Sequence, residues 1–292
     1  MKFLGSYAQS LKMAEAEEFL DLAFYRPLGF ITAKTFARTP ITPNQLTLLS
    51  LLAGLAAAYC FSFGAGEIVR WGAVSYLVAN VLDCADGQLA RLQGSGTLLG
   101  RVVDGVADYV SSGAIFLGLG VGLATTGAHA WWLVFAAALS TALHALMFDH
   151  YQNEFICTVR GEKNFLTGEL TRFTDEAAEI KKRGLDGLKT IALSLYIGYL
   201  RFQKTLNTRT EEKGFDPEAY RSSNLRTIRM WSALGPTTNR SLLIVCALSG
   251  QITSFFWIVV VIGNAWLATC FLLQRRIHRR LGASRIEVSS AG

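Results

Sequence analysis

The sequence predicts an all-α integral membrane protein with six transmembrane helices. Of its 292 residues, 51% are hydrophobic and only 17% are charged, whereas about 25% of a typical soluble domain is charged. Two long stretches, 109–148 and 241–274, contain no Asp, Glu, Lys or Arg, and 18 or more apolar residues in a row indicate a membrane-spanning helix. A soluble enzyme, a disordered chain and a secreted disulfide-rich protein are thereby excluded.

The spans follow from apolar segments separated by polar turns. The first four are 45–63, 71–92, 98–123 and 131–151. The uncharged block 241–274 has 34 residues, and one helix of that length would measure about 51 Å against a hydrocarbon core of about 30 Å. We therefore expect two spans, with a break near 249–251 and with the first beginning at Pro236 or Thr237, because proline is favoured at a helix start.

Basic residues are distributed unevenly among the connecting segments. The leader, the segment 152–240 and the tail are rich in Lys and Arg, and an alternating six-span topology puts them on one side of the membrane. The opposite loops contain only Glu67 and Arg70 as charged residues. The positive-inside rule then predicts that both termini are cytoplasmic. The net charge of +6 does not indicate nucleic-acid binding, since no basic stripe is interleaved with aromatic residues.

These features divide the chain into five parts. They are a cytoplasmic or interfacial leader at 1–44, spans one to four at 45–151, a cytoplasmic helical insert at 152–235, spans five and six at 236–275 and a basic tail at 276–292. In the leader, 19–30 mixes apolar and charged residues and predicts an interfacial helix. In the insert, 188–206 predicts an interfacial or cytoplasmic helix, with a seventh span as the alternative, and 209–226 predicts a polar loop.

Four aspartates flank the turn between spans two and three. They are Asp83, Asp86, Asp104 and Asp108. Helical spacing puts the two of each span on one face, and the turn brings the faces together at the cytoplasmic edge of the bilayer. One charged residue within a span costs several kcal/mol, so bound cations are the natural compensation. Carboxylates favour Mg²⁺, Mn²⁺ or Ca²⁺ over zinc, and paired ions of this kind act on phosphoryl groups.

Other interpretations of these acids remain open. Intramembrane acids also mark ion pathways, so a cation or lipid transporter is an alternative, and helix-end acids paired with arginines are another. The turn 234–240 is interpreted as a helix entry, with a second interpretation as part of an acceptor site.

The segment 83–108 carries the pattern D-x2-D-G-x2-A-R-x8-G-x3-D-x3-D and resembles the signature of the CDP-alcohol phosphotransferase (phosphatidyltransferase) family. The matching residues are Asp83, Asp86, Gly87, Ala90, Arg91, Gly100, Asp104 and Asp108. The run 42–47, Thr-Pro-Asn-Gln-Leu-Thr, is similar to the family's entry into its first span. The resemblance is close from about residue 42 to residue 110.

The resemblance implies an enzyme of phospholipid biosynthesis that moves a substituted phosphate from a CDP-linked donor to an alcohol and releases CMP. It implies two Mg²⁺ or Mn²⁺ ions held by all four aspartates, with Asp108 also acting as the general base. It further implies a homodimer in the bilayer and a nucleotide site. The residues implied for that site are Gly87, Arg91, Gly100, Thr97, Asn44 and Thr47.

The substrates stay open between two schemes. CDP-diacylglycerol reacting with a small polar alcohol, such as glycerol phosphate, inositol phosphate or serine, is favoured. The alternative is a CDP-linked small alcohol reacting with a lipid or inositol-phosphate acceptor.

Overall fold

The computed structural model describes residues 13, 15–127, 130–161, 165–182 and 215–290 and parts of 193–201, and these residues form helices joined by turns. A π-helical turn, Asp21–Tyr25, leads into α1 (Arg26–Phe36), α2 (Pro43–Phe61), α3 (Glu67–Gln93), α4 (Leu98–Thr125) and α5 (Trp131–Arg160). Then follow α6 (Phe165–Lys182), α7 (Pro217–Ser232), α8 (Pro236–Leu248) and α9, which joins Ile252–Trp257, a π-helical stretch Ile258–Gly263 and Asn264–Ser290.

Five of these helices, α2, α3, α4, α5 and α9, are long and apolar enough to cross a membrane. The prediction of a multi-span helical membrane protein is therefore confirmed. The expected break is also found, because α8 ends at Leu248 and Gly250 has a positive φ of 70°. Helix α8 has 13 residues, about 20 Å against a core of about 30 Å, so a sixth crossing stays a prediction.

The part of the leader expected to be helical, 19–30, is helical and continues to Phe36, and it lies along α3. A Cβ atom on Gly29 would lie 2.9 Å from the Cβ atom of Cys84, so the missing side chain lets α1 approach closely. Ala33 packs in one buried cluster with Ala85 and Leu89 of α3. A location at the membrane interface stays a prediction.

The polar loop expected at 209–226 is wrong from residue 217 onwards, where α7 begins. The Asp216 carboxylate accepts a hydrogen bond of 2.9 Å from the Ala219 N–H, which caps the helix in the usual way. Tyr220 and Trp231 are buried in a cluster with residues of α5 and α9. Tertiary burial of this face outweighs the polar composition, and residues 209–214 lie outside the described part of the chain.

Most of the segment 188–206 also lies outside the described residues. Its described pieces are helical, and Leu193, Ile197 and Leu200 form a buried cluster with Phe173 of α6. Whether this helix is cytoplasmic, interfacial or membrane-spanning stays a prediction.

A buried polar network joins α5, α7 and α9. The Tyr220 hydroxyl donates to Glu154 Oε1 at 2.6 Å, and His278 Nε2 lies 2.9 Å from the same oxygen. The Gln274 amide donates to Asn224 Oδ1 at 2.8 Å. Because buried polar groups are costly unless they are hydrogen-bonded, this network fixes α7, and with it the turn that leads into α8.

Close packing of α2 on α4 depends on two glycines. A Cβ atom on Gly118 would lie 2.1 Å from the Ala58 carbonyl oxygen, and one on Gly122 would lie 2.2 Å from the Phe61 carbonyl oxygen. Small residues at such positions let two membrane helices approach backbone to backbone. Helix α3 packs on the same helix α2, so α2 holds α3 and α4 together.

We expect Gly118→Ala to destabilise the protein by about 1–3 kcal/mol, since the added methyl group overfills a packed interface. Gly113→Ala on the same helix is the matched control, because no atom lies within 4 Å of its added Cβ and alanine favours a helix over glycine by about 1 kcal/mol. Denaturant unfolding in mixed micelles measures the free energy of unfolding of both variants. Equal stability of the two would contradict the close α2–α4 packing.

Candidate active site

The turn between α3 and α4 is formed by local capping. Gly94 ends α3 with a φ of 61°, a left-handed conformation typical of glycine after a helix. Thr97 is the N-cap residue of α4, and its hydroxyl accepts a hydrogen bond of 2.9 Å from the Gly100 N–H. Because the turn is short and both helices pack on α2, the last turns of α3 come close to the first turns of α4.

Three of the predicted carboxylates meet at this place. Asp83, Asp86 and Asp104 each offer one oxygen, and these oxygens all lie within 4.8 Å of one another. Asp86 is only 5% exposed, and its Oδ2 atom accepts a hydrogen bond of 2.5 Å from the Thr47 hydroxyl. Three hard oxygen donors at this spacing suit a divalent cation such as Mg²⁺ or Mn²⁺, so the residues present fit the implied metal.

Asp108 is not a member of this three-carboxylate group and is instead paired with Arg240 of α8. The Arg240 Nη2 atom lies 2.9 Å from Asp108 Oδ1, and its Nη1 atom lies 3.2 Å from Asp83 Oδ2. Nη1 also donates to Asn80 Oδ1 at 3.1 Å. One guanidinium, only 17% exposed, therefore connects α8 with both α3 and α4.

The sequence predicts Arg240 only as part of the helix-entry turn 234–240, and its pairing with the aspartates was not predicted. A signal exists, however, because Arg240 is the last charged residue before the uncharged block 241–274. A charge at that position lies at the end of an apolar helix, and such a group needs a partner of opposite sign.

The start of α2 is well defined. Thr42 and Gln45 form a capping box, in which each side chain bonds to the backbone N–H of the other residue. This fixes the first turn of α2 beside the aspartates and puts Thr47 on Asp86. Thr47, expected at the nucleotide, is thus a hydrogen-bond partner of the carboxylate group.

The other expected nucleotide contacts lie in two places. A Cβ atom on Gly100 would lie 3.1 Å from Thr97 Oγ1 and 3.5 Å from Asn44 Oδ1, so these three residues are neighbours. A Cβ atom on Gly87 would lie 3.7 Å from Arg91 Nη1, which places the guanidinium over this glycine. Their contact with a nucleotide stays a prediction.

Comparison with known proteins assigns the part of the chain that carries the aspartates to one family. The family model described as CDP-alcohol phosphatidyltransferase matches residues 40–233. A phosphatidylinositol phosphate synthase of Corynebacterium glutamicum is 35% identical over 113 residues, which cover 39% of this chain and 46% of the relative.

Two other relatives have related names. A phosphatidylinositol phosphate synthase of Mycolicibacterium smegmatis is 34% identical over 149 residues, covering 50% of this chain and 62% of the relative. An archaetidylinositol phosphate synthase of Pyrococcus horikoshii is 38% identical over 93 residues, covering 30% of this chain and 46% of the relative. The chain thus spans between 46% and 62% of the length of these three curated relatives.

We expect Thr47→Val to weaken Mn²⁺ binding by about 10- to 100-fold, because loss of a hydrogen-bond partner of a metal ligand has that effect. Asp86→Asn, which removes the ligand charge itself, should weaken binding further. Electron paramagnetic resonance of free Mn²⁺ in detergent solution measures the Mn²⁺ affinity of both variants. Glu67→Gln is the control, since Glu67 begins α3, the helix that carries Asp86, and its side chain is 82% exposed. Unchanged Mn²⁺ affinity in Asp86→Asn would contradict the metal site.

Proposed function

The chain belongs to the CDP-alcohol phosphatidyltransferase family, and we propose that it transfers a phosphatidyl group from CDP-diacylglycerol to a small phosphorylated alcohol, with release of CMP. The observation that carries this proposal is the three-carboxylate group of Asp83, Asp86 and Asp104 on the segment with the family signature. The names of the relatives favour an inositol phosphate as acceptor. The acids lie at one end of α3 and α4, which favours an enzyme over a transporter.

The aspartates are proposed as the ligands of two Mg²⁺ or Mn²⁺ ions, with Asp108 as the fourth ligand. Such ions, when bound, neutralise the pyrophosphate and the negative charge of the leaving CMP. Six side chains or backbone positions nearby are proposed to contact the nucleotide: Asn44, Thr47, Gly87, Arg91, Thr97 and Gly100. Among them, Arg91 offers a planar pair of donors that fits a phosphate.

Asp108 is proposed as the general base. The acceptor hydroxyl oxygen forms a bond to the lipid-bearing phosphorus, the bond from that phosphorus to the CMP oxygen breaks, and the hydroxyl proton passes to the Asp108 carboxylate. Arg240 orients this carboxylate through its hydrogen bond of 2.9 Å. The same guanidinium offers donors for the phosphate of the acceptor, which favours a phosphorylated alcohol over an uncharged one.

The finer topology is also proposed here. Helix α8 is taken as the fifth of six spans, both termini and the active site are cytoplasmic, and the leader lies at the membrane interface. The positive charge of the segment 152–240 and the tail supports this arrangement. The division of the chain into leader, spans one to four, insert, spans five and six and tail follows from this topology. The homodimer implied by the family stays a prediction.

Purified protein in proteoliposomes with CDP-diacylglycerol tests the function. Release of CMP should require inositol phosphate, should stop when EDTA is added, and should return with Mg²⁺ or Mn²⁺ but not with zinc. Measuring CMP release with glycerol phosphate, serine and inositol in place of inositol phosphate shows which alcohol is the acceptor. No CMP release with any acceptor, or full activity in metal-stripped protein, would refute the proposal.

Asp108→Asn should lose turnover while keeping much of the affinity for CDP-diacylglycerol. Loss of a general base alone lowers turnover by about 10²- to 10⁴-fold. Turnover and binding of the CDP donor are measured separately, with Asp83→Asn for comparison, which should lose metal and donor binding together. Near-normal turnover of Asp108→Asn would remove the base assignment, and complete loss of donor binding would make Asp108 a ligand only.

The six-span topology predicts that the C-terminus and the 125–130 turn lie on opposite sides of the membrane, since three crossings separate them. Reporter enzymes fused at these two places measure their sides directly. If both reporters lie on the same side, an even number of crossings separates them, and the six-span topology is wrong.

A further inference from the structure

Helix α8, which carries Arg240, is capped by a residue from the leader. Its own N-cap position is Gly235, which has no side chain to cap it. The Glu18 carboxylate accepts hydrogen bonds from the Thr238 N–H at 2.9 Å, the Thr237 N–H at 3.2 Å and the Thr238 hydroxyl at 2.9 Å. The first backbone N–H groups of a helix lack partners within it, and here Glu18 satisfies two of them.

The local sequence of α8 fits this arrangement. A Cβ atom on Gly235 would lie 2.1 Å from the carboxyl carbon of Glu18, so only glycine leaves room for the carboxylate. One turn further along, the Ser241 hydroxyl lies 2.9 Å from the Tyr25 hydroxyl. Two residues of the leader therefore contact α8 on both sides of Arg240 in sequence.

The leader itself is fastened to the rest of the protein. The Gln152 amide of α5 donates to the Ala16 carbonyl oxygen at 2.6 Å, and Gln88 of α3 donates to the Arg26 carbonyl oxygen at 3.1 Å. Arg26 forms an ion pair of 2.7 Å with Glu17. Glu18 is thus presented to α8 from a segment that is already fixed on α3 and α5.

We propose that Glu18 is a positioning residue for the transfer reaction, because its cap on α8 holds Arg240 between Asp83 and Asp108. The inference rests on the proposed function, in which Asp108 takes the proton of the acceptor. Arg240 lies in the second turn of α8, so a shift of the first turn moves the guanidinium relative to both aspartates. A misplacement of about 1 Å costs up to 10²-fold in rate.

The cost of burying Glu18 supports a specific role. Glu18 is only 3% exposed. This burial and the nearby Asp21 carboxylate raise the pKa of Glu18 to about 7. A serine or aspartate at position 235 would cap the helix locally. The carboxylate from the leader instead couples two segments that both lie outside the residues matched by the family model, 40–233.

Two measurements at pH 8, above the pKa of about 7 of Glu18, test the proposal. In hydrogen exchange, Glu18→Ala should speed exchange in a peptide containing Thr237 and Thr238 by about tenfold, as expected for loss of a cap. In the CMP-release assay, Glu18→Ala should lower turnover by about 10- to 100-fold with little change in the KM for CDP-diacylglycerol. Glu67→Gln, at the start of α3 with its side chain 82% exposed, should leave the exchange rate and the turnover unchanged.

A double-mutant cycle separates positioning from general destabilisation. Glu18→Ala should have little further effect on turnover once Arg240→Ala is present, because interacting residues are not additive. If Glu18→Ala does not fold, Glu18→Gln gives the same cycle with a smaller effect, since it keeps one acceptor oxygen. Additive losses, or unchanged exchange at Thr237 and Thr238, would overturn the proposal.

The outcomes also distinguish this inference from the proposed function. Wild-type protein that releases no CMP refutes the function, and the exchange measurement then reports on the cap alone. Active wild-type protein with normal turnover in Glu18→Ala refutes the positioning role and leaves the function intact.

Discussion

Mutual repulsion among carboxylates at the ends of two apolar helices is the constraint on which this structure depends. Asp83, Asp86 and Asp104 bring their oxygens within 4.8 Å of one another, where the low dielectric of a membrane protein makes like charges costly. The surroundings compensate with a hydroxyl from Thr47 and a guanidinium from Arg240. The arrangement of the three carboxylates fits a divalent cation, and a cation held there would complete the compensation and could bind pyrophosphate.

The compensation comes from helices other than the two that carry the acids, which explains why much of the fold bears on one site. Helix α2 supplies Thr47 and packs on both α3 and α4. Helix α8 supplies Arg240, and α8 depends in turn on the leader through Glu18. The buried network around Glu154 holds α7, which precedes α8. The short helix α8 is thereby fixed at its first turn, next to the second turn that carries Arg240.

Much of this could be predicted from the sequence because it is local. The spacing of Asp83, Asp86 and Asp104 on two helices joined by a short turn determines their proximity, and the break near Gly250 follows from the excess length of the last apolar block. The partners of Arg240 and Glu18 could not be predicted, since these contacts join residues 157 and 220 positions apart and arise only from tertiary packing. The polar composition of 209–226 indicates a loop, yet Asp216 and Pro217 are a local signal for the start of α7; only the burial of its apolar face depends on tertiary packing.

The central claim is that the three-carboxylate group is the metal centre at which the CDP donor reacts. Diffraction at the manganese absorption edge, from crystals grown with Mn²⁺, tests it most directly. The account predicts an anomalous peak among the carboxylates of Asp83, Asp86 and Asp104. A peak elsewhere in the molecule, with these three carboxylates holding no ion, would contradict it.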